Sequence, residues 1–118
     1  MRKAMTIAAV LAVLYGQAEA HAFLQAAVPP VGGKASAVSE LRLTFTEALE
    51  PAFSTVTIRH ADGAPVSGAK TQVDPQNPKV LTVTLLQPLP PGKYKVQWRV
   101  VSVDTHHTQG DYAFTVSP

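Results

Sequence analysis

Beyond its first twenty residues the chain repeats its hydrophobic residues with a period of two. Tyr94, Val96, Trp98 and Val100 alternate with Lys95, Gln97 and Arg99, the pattern of a strand that turns one face to a core and the other to water. Leu41, Leu43 and Phe45 alternate with Arg42 and Thr44, and Leu81, Val83 and Leu85 with Thr82 and Thr84; Val56 with Ile58, and Tyr112, Phe114 and Val116, make two further sets. Turn signals separate these runs: Pro29-Pro30 with Gly32-Gly33, Ala61-Asp62-Gly63, residues 74–78 and residues 88–92. Short strands at this spacing, rich in Val, Thr and aromatics, predict an antiparallel sandwich or barrel of about seven strands. Residues 46–51 leave room for one helical turn at most. Trp98 is in register with Tyr94 and Val96, so it is expected in the core rather than at a ligand.

The first twenty residues follow a different pattern. Arg2 and Lys3 form a positive start, Met5 to Tyr15 an apolar stretch, and Ala18-Glu19-Ala20 an A-x-A cleavage signal, the three parts of a secretory signal peptide in order. A membrane anchor needs roughly 17 to 25 apolar residues, whereas this run is interrupted by Gly16, Gln17 and Glu19. The expected domains are therefore a cleaved signal over residues 1–20 and one β-sandwich over residues 21–118. That second stretch carries eight Lys and Arg against seven Asp and Glu, a net charge of +1, which lacks the excess that tracking a nucleic-acid backbone requires. The chain has no cysteine, and both methionines, Met1 and Met5, lie in the signal. An exported domain of this kind is held by packing alone, and any metal it binds is held by nitrogen and oxygen.

Cleavage after Ala20 would leave His21 as the first residue, with a free α-amine and an imidazole that together close a six-membered chelate through Nδ1. A second cluster, "SVDTHHTQGDYAF" over residues 102–114, holds Asp104, His106 and His107 between the last two predicted strands. In extended chain, residues two apart share a face, so Asp104 and His106 can point at one centre while His107 points away. If the first strand starts beside the end of the penultimate one, His21, Asp104 and His106 converge. Three nitrogens and a carboxylate oxygen suit tetragonal Cu(II) better than calcium or magnesium, and zinc also accepts such donors. The plain alternative is that Asp104 caps a turn and His106 is solvated. Glu47, in "FTEALEP", is either a solvated carboxylate or the acceptor that orients a ligating imidazole. His60 has no ligand-type neighbour in sequence and is expected at the surface.

At these residues the chain resembles a known family, the periplasmic copper-resistance proteins called CopC. "PPGKYKVQWRVVSVDTHHTQGDYAFTV" is similar to the family's strand, D-x-H turn and closing strand, and the resemblance extends through His21, "AVPPVGG" and "LRLTFTEAL", where Glu47 matches an acidic position. It implies an immunoglobulin-like Greek-key β-sandwich in the periplasm that binds one Cu(II) through His21, Asp104 and His106 with Glu47 nearby, handles copper without catalysing a reaction, and, as family members often do, works next to or fused with a CopD-type inner-membrane copper transporter; the chain itself is expected to be a monomer. Two features depart from the pattern. Some members carry a methionine-rich loop for Cu(I), absent here, and the turn reads Asp-Thr-His-His where a proline often follows the first histidine, which leaves His107 open as an extra ligand.

Two other functions use the same residues. An oxidative copper enzyme of the histidine-brace type also has a terminal and a second histidine on a β-sandwich, though Asp104 would tend to fill the position oxygen needs. A metal-free immunoglobulin-like interaction module would carry these histidines incidentally. No nucleophile–base pair or phosphate-cradling glycine motif supports a hydrolase or a nucleotide-dependent activity.

Overall fold

The structure, a computed structural model, describes residues 22–118. Eight strands follow one another: β1 (Leu24–Val28), β2 (Lys34–Ala35), β3 (Glu40–Phe45), β4 (Thr55–His60), β5 (Ala69–Val73), β6 (Val80–Leu85), β7 (Gly92–Val101) and β8 (His107–Val116). They form two four-stranded sheets, ordered β1-β3-β6-β5 and β2-β8-β7-β4. All neighbours are antiparallel except β2 with β8. The chain passes repeatedly from one sheet to the other, giving the immunoglobulin-like Greek-key sandwich.

The alternating positions fill the space between the sheets. Leu41, Leu43 and Phe45 of β3 and Leu81, Val83 and Leu85 of β6 face Val56 and Ile58 of β4, Tyr94, Val96, Trp98 and Val100 of β7, and Tyr112, Phe114 and Val116 of β8, all buried. Trp98 is a core residue, as its register predicts: its ring meets Phe45 edge-on at 5.1 Å. Room for the indole comes from Gly110, its partner across the β7–β8 ladder, where an added Cβ would lie 2.6 Å from Trp98 Cζ2. Tyr94 stacks on Phe114 and donates its hydroxyl to the Pro90 carbonyl at 2.5 Å, closing the turn that leads into β7.

Three details differ from the sequence reading. β1, β2 and β5 have no clear alternation: β1 and β5 are the two edges of one sheet, and β2 is an edge of the other. In β1 a register shift between Leu24 and Ala26 puts the core-packed Leu24 and Ala27 three positions apart instead of two. Residues 46–50 form no helical turn. They are held open by the isolated bridge from Leu49 to Ser102, and the single 3-10 turn comes afterwards, at Pro51–Phe53, where proline's fixed φ suits a helix start. His60 is half-buried rather than a free surface residue, its ring tilted against Tyr94 at 5.4 Å.

Candidate metal centre

β7 ends at Val101, and the chain reverses through residues 102–106 into β8. The turn is closed by Thr105 N–H donating to the Ser102 carbonyl at 2.8 Å and Ser102 N–H donating to the His106 carbonyl at 3.0 Å. Thr105 sits at φ 75°, the left-handed region that few β-branched residues adopt. Asp104 and His106 are therefore not brought together by extended chain, as the face-sharing argument expects. The turn itself does it: His106 Nδ1 lies 3.2 Å from Asp104 Oδ1, with both side chains about half exposed.

The Asp104 carboxylate also accepts a hydrogen bond from the Ser102 hydroxyl. That bond is the main reason its pKa is held below the usual carboxylate value, with the ring and backbone of His106 lowering it further against a partial desolvation that opposes them. Asp104 thus caps the turn and faces the imidazole at once, so the two readings of this residue are compatible. Two donors about 2.0–2.2 Å from one ion and roughly at right angles would stand about 3 Å apart, so a carboxylate and imidazole at 3.2 Å fit two adjacent positions on a metal. Equally, a metal on the other ring nitrogen would leave Asp104 as the acceptor that orients the imidazole.

Three segments distant in sequence are stitched together at this end of the sandwich. Ala22 is fully buried, and its carbonyl accepts a 2.7 Å hydrogen bond from the Thr108 hydroxyl, two residues beyond His106. Phe23 N–H donates to Thr46 Oγ1 at 2.9 Å, and Thr46 N–H donates back to the Phe23 carbonyl at 2.9 Å. Val103 N–H reaches the Ala48 carbonyl at 3.1 Å, and Glu50 N–H the Val101 carbonyl at 2.8 Å. The middle segment carries Glu47, half-buried, with no hydrogen bond to Asp104 or His106 among the described residues.

His21 lies outside the described residues. The described part of the centre is accordingly a pair, and among the described residues no three His, Asp or Glu side chains gather closely enough to hold an ion. His107 is not brought to the pair: it is exposed and opens β8 opposite Val101, in phase with Gln109 and Asp111 on the outward face and beside Arg99. His60 sits at the other pole, since β4 and β7 pair antiparallel with His60 opposite Tyr94 and Thr55 opposite Arg99. The sequence reading does not single out Ser102, Thr46 or Thr108. Serine and threonine are ordinary in strands and turns, and only the folded chain shows what their hydroxyls reach.

Fold and site together define a small immunoglobulin-like β-sandwich with a carboxylate–imidazole pair at the pole where its first described residues are tied down. The chain belongs to the CopC domain family, whose model matches residues 24–117. It is 35% identical over 105 residues to copper resistance protein C of Escherichia coli, covering 84% of this chain and 83% of that one. Among solved structures it is similar to PcoC, a methionine-rich copper resistance protein from Escherichia coli (TM-score 0.77, 35% identity, 83% of this chain and 100% of that one). The crystal structure of CopC from Methylosinus trichosporium OB3b is likewise similar (TM-score 0.74, 37% identity, 83% and 95%).

Proposed function

We propose that this chain is a periplasmic protein that binds one Cu(II) and sequesters or delivers it, gripping the ion with the α-amine and Nδ1 of His21, with Asp104 and His106, and with Glu47 nearby. The observation that carries this reading is the hydrogen bond from Thr108 to the carbonyl of the buried Ala22. Consecutive Cα atoms are 3.8 Å apart, so the residue bonded to Ala22 starts within one step of a point anchored beside the Asp104–His106 turn. Removal of residues 1–20 as a signal peptide would free the amine for chelation. Nitrogen-rich ligation favours copper in the divalent affinity order, and the relatives named above are copper resistance proteins. With no methionine or cysteine after residue 20, soft ligation of Cu(I) has no donor here, and the ion is carried as Cu(II). A membrane copper transporter of the CopD type is the partner this role calls for. The role needs no catalysed reaction.

Copper titration of the processed chain, beside a chain with one extra residue before His21, tests the proposal. A single tight site is expected in the first and a markedly weaker one in the second; equal affinities would remove the terminal chelate. Affinity should fall as the pH drops below about 8, where a free α-amine begins to hold the proton it must lose to bind. Asp104 adds nothing to that slope. The Ser102 hydroxyl holds its carboxyl below the usual carboxylate value, so it is ionised across the neutral range in which an α-amine titrates.

A further inference from the structure

The charged side chains are distributed unevenly over the sandwich. On β7 the positions between the buried ones are Lys93, Lys95, Gln97 and Arg99, on β4 they are Thr55, Thr57 and Arg59, and on β8 His107, Gln109 and Asp111. Lys34 of β2 joins them, since its neighbour Ala35 packs on the core. The outward face of the β2-β8-β7-β4 sheet therefore carries five of the eight Lys and Arg of residues 22–118 and only one of their seven carboxylates, Asp111. That is a face of net charge +4 on a stretch whose total is +1. None of the five cations makes an ion pair among the described residues; their one side-chain partner is Gln97, which accepts from Arg59 Nε at 2.7 Å, while Arg59 also donates to the Gly63 carbonyl. In the middle of the face lies a shallow concavity of about 450 Å³. Thr55, Thr57, Gln97, Arg99 and Gln109 line it, and so does Asp111.

We propose that this face docks an acidic region of a partner protein, whose carboxylates meet Arg59, Lys95 and Arg99 while its polar groups hydrogen-bond to the threonine hydroxyls and glutamine amides of the concavity. Unpaired like charges on one sheet repel one another, and a surface of opposite sign relieves that repulsion and steers the encounter. A second copy of this chain fits poorly, because a two-fold contact would set +4 against +4. An anionic bilayer fits less well than a protein: interfacial binders add buried apolar area to their charge, and none of the exposed large apolar residues, Phe23, Val28, Val31, Phe53, Leu86 and Val103, belongs to the four strands of this face. The hydroxyls and amides of the concavity also suit the irregular relief of a protein better than a plane of headgroups. The proposal does not depend on the copper reading, since no residue of the Asp104–His106 pair takes part.

The test is an NMR titration of the isotope-labelled, metal-free protein with a hexaglutamate peptide at low ionic strength. Amide shifts are expected at positions 55–59, 95–99 and 107–111. The apparent affinity should fall at least about tenfold when the Debye length is brought from about 30 Å to below about 10 Å with salt. A variant combining Arg59→Gln, Lys95→Gln and Arg99→Gln should weaken binding by a similar factor while keeping a folded amide spectrum and the parent's copper affinity. Shifts scattered over the whole molecule, no response to the peptide, or an unchanged affinity in the triple variant would overturn the proposal. So would binding to phosphatidylglycerol vesicles through these residues without a response to the peptide, which would assign the face to a membrane.

Discussion

Gly110 shows how much one residue can decide in this core. Its place opposite Trp98 is dictated by volume: a Cβ there would stand 2.6 Å from Cζ2 and 2.9 Å from Cε2 of the indole. The ring cannot swing clear, because its other side meets Phe45. Gly110→Ala should therefore act as an overpacking substitution costing about 1–3 kcal/mol. For a domain of this size each kcal/mol moves the melting temperature by about 4–8 °C, so thermal unfolding followed by circular dichroism should show a fall of about 5–20 °C. A fall of a degree or less would mean that the indole has somewhere else to go. Asp104 combines two roles in one side chain. Its carboxylate is committed to the Ser102 hydroxyl and to His106, so the group that shapes the turn is also the one the proposed site would offer to a metal.

Among the strands, those with a face in the middle of the core were legible in the sequence, because burial on one side and water on the other writes a period of two into β3, β6, β7 and β8. The edges were not. β5 brings only Val73 to the core, and the shifted register of β1 breaks the alternation that would have revealed it. The candidate site divides the same way: aspartate and histidine are residue types whose chemistry can be read without a structure, whereas the left-handed Thr105 and the hydroxyls of Thr46 and Thr108 acquire meaning only from what they touch. Thr108 is the sharper case, as one hydrogen bond joins the start of β8 to Ala22, 86 residues away in sequence. Thr108→Val keeps the shape of the side chain and removes the donor. An intramolecular hydrogen bond is worth about 0.5–1.5 kcal/mol net, so copper affinity should fall about two- to tenfold, with the Asp104–His106 pair intact. Calorimetric copper titration of the variant checks this; unchanged affinity would mean that burial alone holds Ala22 in place.

For the molecule as a whole, the proposed site would act as a clasp. The chain has no cysteine, and hydrogen bonds and packing join the segments around residues 22, 46–50 and 101–108. An ion held by His21 on one segment and by Asp104 and His106 on another would add a link that exists only in the folded state. A ligand at a hundred times its dissociation constant stabilises the state it binds by about 2.7 kcal/mol, which for a domain of this size corresponds to a rise in melting temperature of about 10–20 °C. The unfolded chain keeps part of this interaction, because the amine and imidazole of a terminal His21 chelate without any fold, and binding to the unfolded state subtracts from the gain. In the proposed site the part that remains would be contributed by Asp104 and His106. His106→Ala should consequently lose most of the copper-induced rise while its metal-free melting temperature stays near the parent's, since that side chain is about half exposed. Melting curves of both proteins with and without Cu(II), and again after a chelator, measure this difference. Equal copper-induced rises in the two would mean that folding does not bring the two segments to one ion.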